Sequence, residues 1–345
     1  MNAKEPAKRR KTPVHGDGGN QPSDTAVEAD TQEVAEKTHD NKVTPSPRIT
    51  THQLFGALYE SLGPSGNDEK HKKRDETVRA YLRQVAESHK VVSTYNVLML
   101  YDHGPMLRAD ADRIYAAVTS FSAGRPLLLV LYSSGGQIGP AYLIGKLCRE
   151  HSDGSLVIAV PRQAKSAATL VCCSADQIHM GSLSELGPID PQIDELPALA
   201  LKNSVEHIAD LVKKYPNSAD MFAKYLHYSL KLVNLGYYER VAQSAAQYAE
   251  RLLSLHASNL VKPPDAIANE LVNTYKDHGF VIDKAEAAAI FGSAVVKFNT
   301  EEYMFSNDLY QALSLISDFA DHFSHHFYMI GSWDSAPVFY KKSSR

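Results

Sequence analysis

Two kinds of hydrophobic pattern alternate through the middle of the chain. Short continuous apolar runs, typical of parallel strands buried on both faces, are separated by segments in which apolar residues recur every three or four positions. The strand-like runs cover residues 96–102, 127–132, 156–160 and 177–181, and the helix-like segments cover residues 110–121, 141–148 and 164–174. Because strands alternate with helices, the pattern predicts βαβ units, a mainly parallel sheet and an α/β fold.

The flanking segments have different patterns. Residues 1–48 are polar and almost lack large apolar residues, so we predict a disordered N-terminal arm. Residues 49–94 form a predicted helical lead-in, and residues 95–345 are predicted to be one domain. Within that domain we expect a helical insertion over residues 195–260, followed by strands at 281–283 and 294–298. A C-terminal helical extension is expected over residues 299–345, with an amphipathic helix over 307–328.

Composition narrows the class of protein. The chain has 345 residues, of which 43% are hydrophobic, and its net charge is -4. This balance is typical of a soluble globular protein and does not favour a nucleic-acid partner. The apolar runs are too short for an integral membrane segment, and no signal peptide is predicted. The three cysteines at 148, 172 and 173 lie in apolar patterns without a CxxC motif, which favours free thiols and a cytoplasmic location.

No cofactor or metal site is predicted from the motifs. The chain contains neither a Walker A motif nor a GxGxxG fingerprint. His322, His325 and His326 fall within the predicted C-terminal helix, but no acidic ligand stands at metal-binding spacing. A water-facing helix surface is therefore the better interpretation of these histidines.

Candidate chemistry is concentrated at the ends of two predicted strands. The first ends in Ser133-Ser134-Gly135-Gly136, and the second leads into Ser166 at the start of an apolar helix. Glycines allow close approach of another backbone, and a strand-to-helix junction leaves N–H groups such as that of Ala167 free. Open α/β sheets bind ligands at such strand ends. Gly135, Gly136 and Ala167 are therefore candidates for an oxyanion hole beside a nucleophilic Ser166.

These motifs resemble the serine dehydrogenase proteinase family of the Clp protease/crotonase superfamily, which is related to signal peptide peptidase A. The likeness rests on the Ser133–Gly136 string, Ala164–Thr169, Ala175–Ile178, Leu186–Gln192 (LGPIDPQ), and Tyr275–Gly279 followed by Ala285–Ala287. It covers about residues 95–297. The resemblance implies a Clp protease/crotonase-like fold of repeated ββα/βαβ units, with a helical insertion and a C-terminal helix. It also implies a serine endopeptidase that acts through an acyl-enzyme.

The resemblance further implies roles for individual residues. Ser166 occupies the place of the nucleophile, and the positions of acid and base are exchanged relative to the Clp pattern. His278 is then the general base and Asp190 the group that orients it. Lys276 is an alternative base in a Ser–Lys dyad, with Lys165 and Lys202 as weaker candidates.

Two further hypotheses retain the fold. One is a crotonase-like protein that binds acyl thioesters, and the other is a catalytically inactive scaffold. The resemblance also implies a homo-oligomer and a peptide or protein substrate.

Overall fold

The structure is a computed structural model that describes residues 48–193, 196–197, 200–229 and 232–342. The predicted disordered arm lies outside the described residues, apart from Arg48. The described residues form one compact unit.

The described strands and helices follow the predicted alternation. The strands are β1 (Asn96–Asp102), β2 (Leu127–Ser133), β3 (Leu156–Val160), β4 (Gln163–Ala164), β5 (Gln177–Met180), β6 (Glu185–Leu186), β7 (Gln192–Ile193), β8 (Leu196–Pro197), β9 (Ile282–Asp283), β10 (Val296–Phe298), β11 (His325–Gly331) and β12 (Val338–Lys341). The helices are α1 (Thr51–Leu62), α2 (Asp68–Glu87), α3 (Val91–Thr94), α4 (Arg108–Val118), α5 (Ile138–Glu150), α6 (Ala167–Cys172), α7 (Ala200–Lys214), α8 (Ala219–Ser229), α9 (Leu232–Leu253), α10 (Pro264–Asn273), α11 (Lys284–Phe291) and α12 (Glu301–His322).

One mixed sheet organises the fold, in the order β10-β5-β3-β2-β1-β11-β12. Strands β10, β5, β3, β2 and β1 run parallel, and β11 joins β1 in the antiparallel direction. A branch begins where Ser133 at the end of β2 pairs with Ala164 of β4. Strand β4 then pairs with β6, and β6 with β9. This branch carries the sheet outward from the carboxyl ends of β1 and β2, where parallel sheets place their ligand sites.

Both faces of the sheet are covered by helices, which explains why its strands are continuously apolar. Alternate residues of a strand point to opposite faces. In β2, Leu129 belongs to a core packed against α4, α5, α6 and the helices from α9 to α11, whereas Val130 belongs to a second core packed against α1, α2 and α12. All seven residues of β2 are buried. The chain is therefore built in three layers around one sheet, as the apolar runs predicted.

The helical lead-in and part of the insertion belong to these layers. Leu54 and Leu58 of α1 and Val78 and Leu82 of α2 are fully buried in the second core. Helix α9 of the insertion buries a small-residue face, including Ala245, against the first core. Small side chains let a helix approach its neighbours closely, so α9 contributes to the core rather than forming a separate lobe.

Three predicted elements require correction. The predicted helix over residues 164–174 is the short strand β4 followed by α6, because residues 163–164 pair with the ends of β2 and β6. The predicted helix over residues 307–328 begins at Glu301, where Thr300 caps it, and ends at His322.

The C-terminal extension is consequently not all helical. Strands β11 and β12 extend the sheet beyond β1. His325 and His326 lie on β11 rather than on a helix, and His326 Nε2 is 2.8 Å from Asp102 Oδ1. A sheet edge next to β1 offered unpaired backbone groups, and pairing with them outweighed the helical spacing of the sequence.

Candidate active site

Ser166 stands on strained backbone between β4 and α6. Its φ of 50° is unusual for a residue with a side chain, and such strain is found most often at functional sites. The Ser166 hydroxyl has no hydrogen-bond partner among the described residues. Neighbouring contacts hold this conformation, because Lys165 N–H donates to Ser133 O at 3.0 Å and Ala168 N–H donates to Lys165 O at 2.8 Å.

The two glycines after β2 differ in what they contribute. A Cβ on Gly135 would lie 2.9 Å from Ser166 Cβ, so glycine is needed for the close approach of the two loops. The Gly135 N–H donates to Ser133 Oγ at 3.1 Å and is therefore already bonded. Gly136 forms a bridge with Met106, in which Met106 N donates to Gly135 O and Gln137 N donates to Met106 O.

That bridge leaves one N–H group of the turn free. In this bridge Met106 makes both hydrogen bonds, to the two residues that flank Gly136, so the Gly136 N–H points away from Met106. The Gly136 N–H and the Ala167 N–H, which is the first of α6, meet no acceptor within the part of the chain that the structure describes. These two N–H groups are candidates for the oxyanion hole, whereas Gly135 provides space.

The LGPIDPQ string is tied to the nucleophile segment by a buried threonine. Thr169 Oγ1 of α6 lies 2.6 Å from Ala164 O and 2.8 Å from Gly187 O, and accepts from Gly187 N–H at 3.1 Å. Ile189 N–H donates to Leu271 O of α10. These bonds carry Asp190 to the same end of the sheet as Ser166.

Lys165 connects the nucleophile segment to the loop that bears His278. Its ammonium is 3.0 Å from Glu185 Oε2, and it donates to Leu186 O at 3.3 Å and to Phe280 O at 3.1 Å. The Lys165 side chain is 13% exposed. An ammonium held in this way by an anion and two carbonyls is a poor candidate for a free base.

Asp190 and His278 are neighbours, but a glutamine stands between them. Asp190 Oδ2 is 3.8 Å from His278 Nδ1, which is beyond hydrogen-bond distance. Gln192 Nε2 lies 3.1 Å from Asp190 Oδ2 and 3.0 Å from His278 Nδ1. Asp190 is 7% exposed, and its buried Oδ1 has no hydrogen-bond partner among the residues that the structure describes. The carboxylate therefore reaches the imidazole through the amide.

Ser166 and His278 line one open cleft of about 770 Å³. The cleft lies at the carboxyl ends of β1 and β2. Its lining residues are His103, Pro105, Leu107, Ser134, Gly135, Gly136, Gln137, Ile138, Ser166, Pro191, Gln192, Val241 and His278. The structure thus brings the predicted serine, histidine and both glycines to one surface, with Asp190 behind Gln192.

The other predicted bases lie elsewhere. Lys276 is exposed and is not among the residues that line the cleft. Lys202 lines a separate polar groove together with Glu206 and Glu239. No group of three potential metal ligands occurs among the described residues. No helix in the described ranges is both long enough and apolar enough to cross a bilayer.

Two residues of the cleft were not anticipated. Gln192 was part of the LGPIDPQ string, but nothing in its spacing indicated a contact with residue 278. His103 follows β1 directly, and its ring nitrogens lie 3.0 Å from the Tyr101 hydroxyl and 3.3 Å from the Tyr132 hydroxyl. Burial lowers the pKa of His103, and the nearby His326 adds to this effect. The position of His103 at a strand end was the available signal.

The segment that carries most of this cleft is similar to a known family of peptidases. Residues 103–221, about a third of the chain, match the family model described as ClpP-like SDH-type serine proteinase. The resemblance predicted from the motifs is confirmed. The matched segment contains Ser166, Asp190 and both glycines, and His278 lies beyond it. Together with the mixed sheet covered by helices, the match confirms the predicted Clp protease-like α/β fold and supports a serine peptidase.

Curated relatives match only a portion of the chain. An uncharacterized protein of Methanocaldococcus jannaschii is 31% identical over 125 residues, which are 33% of this chain and 43% of the relative. A second uncharacterized protein of the same organism is 30% identical over 92 residues, or 27% of this chain and 31% of that protein. The matches span less than half the length of each relative.

Solved structures resemble the chain at low similarity. Two structures of mutants of a membrane-bound stomatin-specific protease each have a TM-score of 0.39, and one of them contains a substrate peptide. Their sequence identities are 13% and 14%. They cover 62% and 72% of this chain, and 84% and 89% of their own chains.

Proposed function

We propose that the protein is a serine endopeptidase that cleaves peptide bonds through an acyl-enzyme on Ser166. The observation that carries the proposal is the position of Ser166, which lies on strained backbone and lines the same cleft as His278 and Gly136. Acyl transfer requires a nucleophile, a base and N–H donors for the oxyanion within one site.

The proposed reaction assigns a role to each of these groups. Ser166 Oγ attacks the peptide carbonyl while its proton passes to His278 Nε2, and the Gly136 and Ala167 N–H groups bind the oxyanion. The C–N bond then breaks, and the leaving amine takes the proton from His278. Water, deprotonated by the same ring, hydrolyses the acyl-enzyme and restores the Ser166 hydroxyl.

His278 is favoured over Lys276 as the base because His278 lines the cleft with Ser166, whereas Lys276 does not. Asp190 is proposed to orient His278. A homo-oligomer and a cytoplasmic location stay predictions from the sequence, which gel filtration with light scattering and fractionation of cells would test.

Labelling by a fluorophosphonate probe tests the nucleophile. We expect wild-type protein to be labelled on Ser166 and Ser166→Ala not to be labelled, with hydrolysis of a peptide library lowered about 10⁴-fold or more. Ser134→Ala is the matched control, because Ser134 lines the same cleft and its Oγ makes one long hydrogen bond within the described ranges, to His103 O at 3.5 Å. It should keep both labelling and hydrolysis.

Two variants separate the proposed bases. If His278 is the base, His278→Ala loses labelling and Lys276→Met retains it, and the converse result selects the lysine. Acyl-CoA binding without labelling of Ser166 would select the thioester hypothesis instead. Absence of both, in protein that unfolds cooperatively, would leave the inactive scaffold.

A further inference from the structure

The contact between Gln192 and His278 determines where the imidazole proton resides. A side-chain amide nitrogen is only a donor, so a His278 Nδ1 that faces it must be the unprotonated, accepting nitrogen. The distance of 3.0 Å is that of an ordinary hydrogen bond. The neutral ring then carries its proton on Nε2.

The amide orientation follows from the carboxylate beside it. Oxygen and nitrogen of a glutamine amide are distinguished by their partners. Turning the Gln192 amide would place its oxygen 3.1 Å from Asp190 Oδ2, where two acceptors repel each other. With Nε2 in this position, one amide hydrogen points to Asp190 and the other to His278. Gln192 therefore satisfies both neighbours at once.

This tautomer is the wrong one for the proposed reaction. A histidine that takes the Ser166 proton needs an unprotonated Nε2 and an Nδ1–H that donates to the orienting carboxylate. In the structure, Nδ1 is 3.8 Å from Asp190 Oδ2 and has the amide as its partner. Asp190 Oδ1 is buried and meets no donor among the described residues, so the carboxylate has an acceptor that this part of the chain does not use.

We propose that Gln192 is a positioning residue that holds His278 in its resting tautomer until a peptide in the cleft displaces the amide. Gln192 lines the cleft, so a bound peptide contacts the side chain that holds the ring. Once the amide leaves, Nε2 releases its proton to water and Nδ1 takes a proton from water. The ring then turns so that the Nδ1–H donates to Asp190, and the unprotonated Nε2 becomes the base. The proposal rests on the proposed peptidase function.

Nitrogen NMR of the imidazole ring tests the proposal without relying on activity. Full-length protein is labelled with ring-¹⁵N histidine and measured at about pH 8.5, where an ordinary imidazole is neutral. The His278 signals are assigned from their loss in His278→Gln. We expect wild type to show the Nε2–H tautomer, and Gln192→Leu to shift toward the Nδ1–H form.

Two more variants sharpen the result. Gln192→Met keeps the length of the side chain but offers no N–H donor to Nδ1, so we expect the tautomer to shift toward the Nδ1–H form even if the leucine variant is unstable. Gln137→Ala removes another glutamine of the cleft that makes no side-chain hydrogen bond to His278. Its tautomer should match that of wild type.

Labelling rates give the second readout. Gln192→Leu should react with the fluorophosphonate probe roughly three- to tenfold faster than wild type, the factor expected for the loss of one ordinary hydrogen bond. A residue with only a structural role would lower this rate. An Nδ1–H ring in wild type, or an unchanged tautomer in both Gln192 variants, would overturn the proposal. A shifted tautomer in protein that never labels Ser166 would instead refute the peptidase while keeping the role of Gln192.

Discussion

Ser166 and His278 face the same cleft, but the two sides of that cleft are built differently. The serine side comprises β2, the Gly135–Gly136 turn, β4 and α6, in which backbone bonds and a buried threonine hold every segment. The histidine side comprises a loop between α10 and β9, where the His278 side chain is 37% exposed and meets its carboxylate through Gln192. The Gly136 and Ala167 N–H groups, which are the proposed oxyanion donors, are therefore fixed by the backbone, whereas the proposed acid–base pair would have to rearrange.

The contrast indicates where catalytic precision and control reside. Donors that bind a developing charge are most effective when they do not reorganise during the reaction. Residues on loops are easier to move because few backbone bonds hold them. A site whose serine side is rigid and whose histidine side is adjustable can remain inactive until a substrate fills the cleft.

The largest effect is expected from Gly136→Ala, which disturbs the glycine turn on the serine side of the cleft. The new Cβ would lie 2.2 Å from Met106 N at a φ of +144°. We expect a loss of roughly 2–5 kcal/mol in the free energy of unfolding, together with loss of probe labelling. Chemical denaturation measures the first and gel fluorescence the second.

Gly139→Ala is the control for that substitution. Gly139 lies in α5, close to the same turn, and no described atom outside its own turn of helix lies within 4 Å of the position that a Cβ would take there. Its free energy of unfolding should stay the same or rise by up to about 1 kcal/mol. Equal losses in both variants would show that the turn is not a special constraint.

A smaller effect is expected when the Lys165 side chain, which connects the serine side to the His278 loop, is replaced. Lys165→Met removes the contacts to Glu185, Leu186 O and Phe280 O. We expect the free energy of unfolding to fall by about 1–2 kcal/mol, since the pair is only partly buried. Hydrogen exchange should accelerate in residues 275–281 and stay unchanged in α6, as mass spectrometry would measure.

Lys276→Met is the matched control for this link. Lys276 lies on the same loop but is exposed and forms no ion pair among the described residues. Exchange in the loop should match that of wild type. If Lys165→Met left the loop equally protected, the two sides would be independent of each other.

The smallest effect is expected from the protonation of His256, which packs behind α6, when the pH is lowered. His256 is buried, donates through Nε2 to Cys173 O at the end of α6, and has its pKa lowered chiefly by burial. The unfolded chain then binds more protons, so stability is lost as the pH falls below about 6.5, the ordinary histidine value. Below that pH, the free energy of unfolding should change less steeply with pH in His256→Gln than in wild type, by at most about 1.4 kcal/mol per pH unit.

Denaturation at a series of pH values measures the slope for wild type and variant. An identical pH dependence in both would show that His256 does not couple protonation to folding. Probe labelling after return to neutral pH would show whether the serine side recovers its geometry.

The sheet and its strand-end chemistry were accessible from the sequence because their signals are local. The run at residues 127–132 has no polar position, which is sufficient to predict a strand covered on both faces. The Ser133–Gly136 turn and Ser166 each follow such a strand, and parallel strands place their carboxyl ends together. By contrast, helical spacing extended the predicted C-terminal helix to residue 328, where pairing with β1 produced a strand.

The α/β fold, the serine at a strand-to-helix junction and the glycines beside it could be predicted from the sequence, since each depends on a few consecutive residues. Three features became visible only in the folded chain. Gly135 gives space rather than a donor, Lys165 is bonded to a carboxylate and two carbonyls, and Gln192 stands between Asp190 and His278. These features depend on distances between residues far apart in the chain. Hydrogen-bond direction and side-chain contacts across the fold leave no periodic mark in the sequence, so only the folded chain reveals them.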